Sequence, residues 1–419
     1  MKKKIIFLIL LTVLISAFSI LDNHKARSAD DLESKLNIYL QVLDAVKNDY
    51  VDKNVDNTKL MYGSIRGLLD SLDDPYTRFL EPTSYKEMKI RLSGSYSGIG
   101  IYIGMKDKHL IVISPIKETP AWKVGLKPKD KIMTIDGKST KDMALDEAVS
   151  LIRGPRGSYV TLGIIRGAEK DPKDYKVMRE KIVIKSVETE IPKDGMGYIK
   201  LNTFENQNAA EEMEKALNFL KSKKIKGVII DVRNNGGGLL QNAIEIGSMF
   251  IKEGVIVYTI DREGKKETIS STGNLIWDRP IVVLINESSA SASEILAGAL
   301  RDNNVAKLVG AKSFGKASVQ NVKQLEDGSA VLLTVAKYLT PNGTDISKKG
   351  IEPDYVVEVP TGEAVEEPAM EGKNMENDIQ LKKAEQVLSS LISMIDVKGS
   401  KKACLPAGRA RKASAFSLR

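Results

Sequence analysis

Two short and strongly apolar runs, residues 227–232 and 281–285, constrain the fold of this chain more than any other feature. Both are shorter than a usual helix and rich in isoleucine and valine, which is typical of strands buried on both faces. Helical periodicity follows each run, over residues 239–250 and 293–300. Because strands and helices alternate in this way, the sequence predicts a layered α/β fold with buried central strands.

Changes in residue pattern divide the chain of 419 residues into segments. Apolar residues recur at helical spacing after residue 32, and a second helix is expected to stop before Pro75, because proline disfavours helix in the preceding residue. Short β-rich runs follow, then the α/β alternation, then one further helix over residues 379–395. The predicted segments are residues 1–21 (apolar start), 32–92 (helical), 93–167 (β-rich), 168–360 (α/β core), 361–397 (helical) and 398–419 (basic and disordered).

The first residues predict export. Lys2, Lys3 and Lys4 precede an uncharged apolar stretch over residues 5–21, which is the pattern of a secretory signal. The stretch is also about as long as the shortest membrane-spanning helix, so a cleaved signal and a retained membrane anchor are both open. The lysines should stay cytoplasmic, which places the bulk of the chain in the periplasm or on the outer face of the cytoplasmic membrane.

The net charge of +8 comes mostly from the end of the chain. Residues 398–419 contain seven Lys or Arg and no Asp or Glu. No aromatic residues alternate with these cations, so a solvated tail is favoured over nucleic-acid binding, and no nucleic-acid partner is predicted. A single cysteine, Cys404, excludes an intramolecular disulfide.

The β-rich segment contains a specific motif that runs from Gly125 to Gly137 and includes Leu-Lys-Pro-Lys-Asp-Lys-Ile and Ile-Asp-Gly. Together with Ser-Gly-Ile-Gly-Ile at residues 97–101, it resembles a PDZ domain, which binds peptides by adding a strand to a sheet edge. The resemblance implies that the glycine loop receives a chain-terminal carboxylate, although glycines alone would also fit an ordinary turn. The implied peptide-binding residues are Gly98, Ile99, Gly100 and Ile101.

Ser291 is a candidate nucleophile because it lies where the apolar run 281–285 gives way to a helical pattern. Free N–H groups and the helix dipole favour negative charge at such a point, and an acyl oxyanion on Ser291 would lie near the Ala292 N–H. The local sequence alone favours an N-cap over a nucleophile, since serine is a favoured capping residue.

Lys316 is the candidate base for this serine, because the only two histidines, His24 and His109, lie far away in sequence. A lysine acts as a base only when neutral, and burial in an apolar pocket lowers its pKa. Phe314 is among the residues expected to line such a pocket, whereas a solvated surface lysine is the alternative. Gln320, four residues after Lys316, could orient the amine by a hydrogen bond.

Three consecutive glycines, residues 236–238, end the run that begins at residue 227. They free the backbone to present N–H groups, so this loop could supply half of an oxyanion hole. A plain strand-to-helix turn explains the glycines as well, and a phosphate loop is disfavoured because no Gly-Lys-Ser/Thr follows.

In order and spacing, these motifs resemble the carboxyl-terminal processing peptidases, also called tail-specific proteases, over residues 32–395. Further matches are Leu-Asp-Asp-Pro-Tyr-Thr-Arg-Phe-Leu at residues 72–80 and Asp-Val-Arg-Asn-Asn at 231–235. The resemblance implies a crotonase/Clp-like layered α/β protease core with an inserted PDZ domain and an N-terminal helical segment. Two residues depart from the family pattern: Gly236 stands where Pro is usual, and Ala317 where Gly is usual. The implied roles are nucleophile for Ser291, general base for Lys316, orienting residue for Gln320 and oxyanion donors for Gly237 and Ala292.

The sequence therefore predicts an exported serine endopeptidase that recognises and cleaves the C-terminal tails of proteins through an acyl-enzyme on Ser291. No cofactor or metal ion is expected, and pairing of the terminal helices would make a homo-oligomer. Two other functions fit part of this pattern: a PDZ scaffold with an inactive protease core, and an acyl-CoA enzyme with a glycine-rich oxyanion hole. Neither explains serine, lysine and glutamine together.

Overall fold

The computed structural model describes residues 32–193, 195–359 and 377–403, with side chains up to residue 395. The apolar start, residues 1–21, and residues 404–419 of the basic segment lie outside the described part. The chain forms two compact units, of which the first ends at Asp73 and the second begins at Asp74. Within the described residues, no helix is both long enough and apolar enough to cross a membrane.

The first unit contains two helices, α1 over residues 32–49 and α2 (Asn57–Asp70). Asp56 caps α2, because its carboxylate accepts hydrogen bonds from the N–H groups of Thr58 and Lys59. The hydroxyls of Tyr39 and Ser64 lie 2.9 Å apart and join the two helices.

The second unit begins with a short strand and a helix and continues into the β-rich segment. A five-strand path β3-β4-β5-β7-β8, with β6 added on β5, packs against helix α5. Val112, Ile132, Val160 and Leu162 form the fully buried centre of this sheet. The elements are β1 (Arg78–Leu80), α3 (Pro82–Leu92), β2 (Ser95–Gly98), β3 (Ile101–Lys106), β4 (His109–Pro115), α4 (Pro120–Lys123), β5 (Lys131–Ile135), β6 (Lys138–Ser139), α5 (Leu145–Ile152), β7 (Tyr159–Ile165), β8 (Lys173–Met178) and β9 (Glu180–Val183).

The α/β core is built on a six-stranded sheet of order β10-β11-β12-β15-β16-β19, parallel from β11 to β19. Alternate residues of its central strands face opposite layers: Ile230 packs with α6, α7 and α8, and Ile229 packs with α9. The predicted strand at residues 281–285 is confirmed and is buried along its whole length. The elements are β10 (Val187–Lys193), β11 (Met196–Leu201), α6 (Ala209–Ser222), β12 (Gly227–Asp231), α7 (Leu240–Ser248), β13 (Val255–Asp261), β14 (Lys266–Ser270), β15 (Ile281–Ile285), α8 (Ala292–Asp302), β16 (Ala306–Gly310), β17 (Ser318–Gln324), β18 (Ala330–Leu339), β19 (Tyr355–Val356) and α9 (Ile379–Ala403).

A second, antiparallel sheet of order β1-β18-β13-β14, with β17 also paired to β18, covers part of the core. The sequence did not indicate it, because its strands come from distant parts of the chain and no local pattern specifies their pairing. Strand β1 pairs with β18 in the register Arg78↔Leu332, which brings residues 74–80 onto the core. The last helix also differs from the prediction, since α9 continues past residue 395 to Ala403.

Candidate active site

Ser291 lies between the end of β15 and the start of α8, and its backbone is held in an unusual conformation. Its φ and ψ are +56° and −116°, a region that non-glycine residues rarely occupy. Such conformations persist where the surrounding structure fixes them, and they are common at active sites. Here the preceding turn is tied to the segment that follows β12, because Ser289 Oγ donates to Val232 O at 2.8 Å and Ala290 N donates to Asn235 O at 3.1 Å.

The glycine loop that follows β12 packs directly against Ser291. A methyl group on Gly237 would lie 2.6 Å from Ala290 O and 2.8 Å from both Ala292 N and the Ser291 Cβ. Gly237 also has φ +95°, so contact and backbone geometry both require glycine. The structure therefore brings Gly237, Ser291 and Ala292 together, as the sequence predicted.

The two predicted oxyanion donors differ in availability. Ala292 N–H has no hydrogen-bond partner among the described residues, as expected for the first N–H of a helix. Gly237 N–H, in contrast, donates to Asn235 Oδ1 at 2.9 Å. This bond is a local turn of the kind that asparagine forms with a residue two positions on. The expectation that both groups are open is thus met only by Ala292 in this arrangement.

Lys316 lies half-buried beside an aromatic ring. Its Nζ is 4.6 Å from the ring centroid of Tyr76. Burial lowers the pKa of Lys316, and the nearby charge of Arg78 lowers this pKa further. Three carboxylates raise it and so oppose the shift: Asp74, Glu205 and Glu294. The direction of the shift agrees with what a lysine base needs.

The pocket around Lys316 differs from the expected one. Phe314, which was expected to line it, is 54% exposed. Tyr76 lies beside the amine instead. It is two residues before β1, and the pairing of β1 with β18 brings this part of the chain to the core. Burial, followed by the charges of Glu294 and Asp74, raises the pKa of the Tyr76 phenol.

Gln320 does not contact the amine of Lys316 in this arrangement. It lies in β17, and its Nε2 donates to Ser318 Oγ at 2.8 Å. Among the described residues, no hydrogen bond joins Gln320 to Lys316. The predicted orienting bond is therefore not formed here.

Glu294 links the segments of Ser291 and Lys316, a role that the sequence reasoning missed. Its carboxylate is 1% exposed, and Oε2 accepts hydrogen bonds from the N–H groups of Ser291 and Lys316, each at 2.9 Å. Oε1 accepts from Ser313 Oγ at 2.6 Å and from Gly315 N at 2.7 Å. Glutamate three residues after the serine is a helix-capping signature that could have pointed to this residue.

Tyr338 adds a second link between the same two segments. Its hydroxyl donates to Ser291 O at 3.2 Å and also to Lys316 O, and it lies 3.5 Å from Glu294 Oε2. The backbones of the candidate nucleophile and the candidate base are thus held by one carboxylate and one phenol, although 25 positions separate them in the sequence.

The predicted peptide-binding loop lies at one end of a small cleft between β3 and α5, with a volume of about 60 Å³. Gly98, Ile99, Gly100 and Ile101 all line it, as do Val149, Ile152 and Arg153 from the helix side. The Ile99 side chain is only 1% exposed and belongs to the core of this segment, so its contribution is the backbone. Gly100 has φ +78°, and a methyl there would lie 2.4 Å from the Thr119 Cβ.

Comparisons with known proteins identify the families that the segments of this chain match. The model of peptidase family S41 matches residues 195–357, that of the PDZ domain residues 87–165, and that of the activating protease CtpB N-terminal domain residues 16–83. The carboxyl-terminal-processing protease of Synechocystis sp. is 40% identical over 75% of this chain and 75% of its own length. Carboxy-terminal processing protease CtpA of Bacillus subtilis is 37% identical over 85% of this chain and 78% of its own length. Among solved structures, a putative S41 protease from Bacteroides fragilis shares the fold, with a TM-score of 0.51 over 82% of this chain and 91% of that chain, at 17% identity.

Proposed function

This chain belongs to peptidase family S41, the carboxyl-terminal processing proteases, and from that membership we propose that it cleaves protein tails through an acyl-enzyme on Ser291. The observation that carries the proposal is the arrangement around Glu294, which holds the backbones of Ser291 and Lys316 on one buried oxygen. The family is one of serine-type peptidases, so the acyl-CoA enzyme and the inactive scaffold are set aside.

In the proposed reaction, neutral Lys316 accepts the proton of the Ser291 hydroxyl as its oxygen attacks the scissile carbonyl. The negative charge that develops on the carbonyl oxygen is stabilised by Ala292 N–H, at the start of α8. The Lys316 ammonium then gives its proton to the leaving amine, and the ester remains on Ser291. Water then attacks this ester while Lys316 accepts a proton from it, and Lys316 returns that proton to the Ser291 oxygen as the acid product leaves, which restores the serine hydroxyl and the neutral lysine.

In this structure Gly237 N–H and the Gln320 amide are both bonded to near neighbours, so we assign it to the free enzyme before substrate binds. Gly237 N–H must leave Asn235 Oδ1 before it can serve as the second oxyanion donor. Gln320 must likewise exchange Ser318 for Lys316 before it can orient the amine. Both changes are local, since Asn235 is two residues from Gly237 and Ser318 is two residues from Gln320, so a bound substrate could induce them without unfolding the core.

The PDZ segment is proposed to bind the C-terminal end of the substrate as an added strand on β3, with the chain terminus at residues 98–101. Export remains part of the proposal because of the basic and apolar start of the chain, which would place the protease outside the cytoplasm. Membrane attachment through that start and assembly into a homo-oligomer are proposed on the same sequence grounds.

The proposal is tested by cleavage of an unfolded tail substrate together with binding of the same tail. Ser291→Ala should abolish turnover and leave binding intact. Lys316→Ala should be about as damaging, because residues that act as a unit lose activity together. Turnover that persists in Ser291→Ala would remove the serine from the mechanism, whereas loss of binding would show that the variant has lost its fold.

A further inference from the structure

A turn on the surface of the PDZ segment, residues 117–131, exposes an indole. Trp122 is 47% exposed and Val124 is 37% exposed, within and just after the short helix α4. The only other tryptophan of the chain, Trp277, is 1% exposed and lies in the core. Tryptophan buries a large apolar area when it is covered, so its exposure beside a second apolar side chain is a feature to be explained.

The same segment is rich in lysine. All five lysines of residues 117–131 are exposed, and none forms an ion pair within the described part of the chain. They are Lys117, Lys123, Lys127, Lys129 and Lys131.

The two acidic residues of the same turn do little to offset this charge. Asp130 is fully buried and accepts two hydrogen bonds from Arg166, at 2.7 and 2.8 Å. Only Glu118 is left to offset the lysines, so the surface of the turn is strongly basic.

The turn is held in place by hydrogen bonds within it and from Arg166. Lys127 N donates to Asp130 Oδ2 at 2.8 Å, and Leu126 N donates to Ala121 O at 3.1 Å. Arg166 Nη2 also donates to Gly125 O at 2.8 Å. A partner therefore meets an already ordered surface, and binding costs little conformational entropy.

We propose that this turn, residues 117–131, docks on a lipid bilayer that carries anionic headgroups. An indole is suited to the boundary between headgroups and acyl chains, since its ring is apolar and its N–H can still hydrogen-bond. Lysines near an anionic leaflet each add attraction, and five exposed lysines in the segment that carries the indole match that boundary. An acidic protein with an apolar pocket would also fit the lysines and the indole, so quenching by brominated lipid separates the two partners in the test below.

The docked turn would lie next to the peptide-binding loop. Ala121 N donates to Ile99 O at 2.9 Å, and Thr119 Oγ1 donates to Gly100 O at 3.0 Å. If the proposed function holds, docking presents this loop to protein tails that emerge at the membrane surface. The docking itself is independent of the protease chemistry and of the apolar start of the chain.

Intrinsic fluorescence tests the proposal on the full chain, because Trp122 is the only exposed indole. Vesicles of phosphatidylcholine with phosphatidylglycerol should shift the emission to the blue, and brominated acyl chains should quench it. Vesicles of phosphatidylcholine alone should do neither. Trp122→Phe should remove the response, since Trp277 is already buried.

The decisive experiment compares a variant that lacks three lysines of the turn with a variant that lacks three lysines elsewhere. Each lysine near an anionic surface adds about a fivefold factor in binding, so Lys123→Gln, Lys127→Gln and Lys129→Gln together should weaken the Trp122 response about 100-fold. The matched control replaces three exposed lysines on the surface of the α/β segment by glutamine: Lys224, Lys252 and Lys265. Both triple variants should cleave a soluble tail peptide normally, which shows that each is folded.

Three results would overturn the proposal. One is an equal emission shift with neutral vesicles, and another is an equal loss of response in the control variant. The third is a shift with soluble polyglutamate in the absence of quenching by brominated lipid, which would assign the surface to an acidic protein.

Discussion

Replacing Glu294 by glutamine should separate the chemistry of the site from its fold. The carboxylate accepts four close hydrogen bonds, two on each oxygen. A glutamine keeps one acceptor oxygen, while its NH₂ group faces two donors that it cannot serve. Hydrogen bonds to a charged group are worth about 1.5–3 kcal/mol each, so losing two costs about 3–6 kcal/mol. If half of this loss appears in the transition state, kcat falls by about ten- to a hundredfold.

The assay is steady-state cleavage of a tail peptide, with unfolding by denaturant measured alongside. Glu212→Gln is the matched control, because the Glu212 carboxylate also accepts backbone N–H bonds, from Ser186 at 2.8 Å and Val187 at 3.1 Å, but lies outside the site. Both variants should lose stability, and only Glu294→Gln should lose kcat while KM changes little. A Glu294→Gln enzyme with normal kcat would refute the view that this carboxylate positions the nucleophile and the base.

Three further predictions follow from the site. Activity should rise with pH through the pKa of Lys316, since only the neutral amine accepts a proton. Arg78→Met should move this rise in activity to higher pH, because the charge of Arg78 lowers the pKa of Lys316. Added salt should reduce the pH difference between the wild type and Arg78→Met, since it screens that charge. Gly237→Ala places a methyl 2.6 Å from Ala290 O and should lower kcat about 100-fold in the cleavage assay. Gly100→Ala should raise KM for tail peptides, as measured by cleavage at varied peptide concentration, because the new methyl would distort the peptide-binding loop.

The chain offers a control for each glycine variant. A methyl on Gly236 meets nothing within 4 Å, so Gly236→Ala should retain activity. Gly137 has φ +78°, equal to that of Gly100, but open space around the new methyl. Gly137→Ala therefore tests backbone strain alone. If Gly137→Ala raises KM as much as Gly100→Ala does, distortion of the peptide-binding loop is not the cause of the higher KM.

Local patterns in the sequence predicted the elements that local forces determine. The strand at 281–285 has the predicted bounds, because a short apolar run with flanking turn residues specifies it. The family resemblance implied that Gly237 lies near Ser291, and the structure gives the reason, since parallel strands β12 and β15 end at the same edge of the sheet.

Long-range pairing explains most of what the sequence did not predict. Tyr76 reaches Lys316 only because β1 pairs with β18, and no local pattern specifies that register. Asn235 competes for the Gly237 N–H through a bond between near neighbours, which the glycine pattern alone does not indicate. Side-chain choices of this kind depend on hydrogen-bond geometry rather than on residue type.

The central claim, that Ser291 is a nucleophile activated by Lys316, is tested most directly by a serine-reactive phosphonate probe with mass-spectrometric mapping of the labelled peptide. The wild-type chain should carry the label on Ser291 alone, and labelling should rise with pH through the pKa of Lys316. In Lys316→Ala the label should be almost lost while thermal unfolding stays cooperative. A label on another serine, or undiminished labelling of Ser291 in Lys316→Ala, would contradict the account.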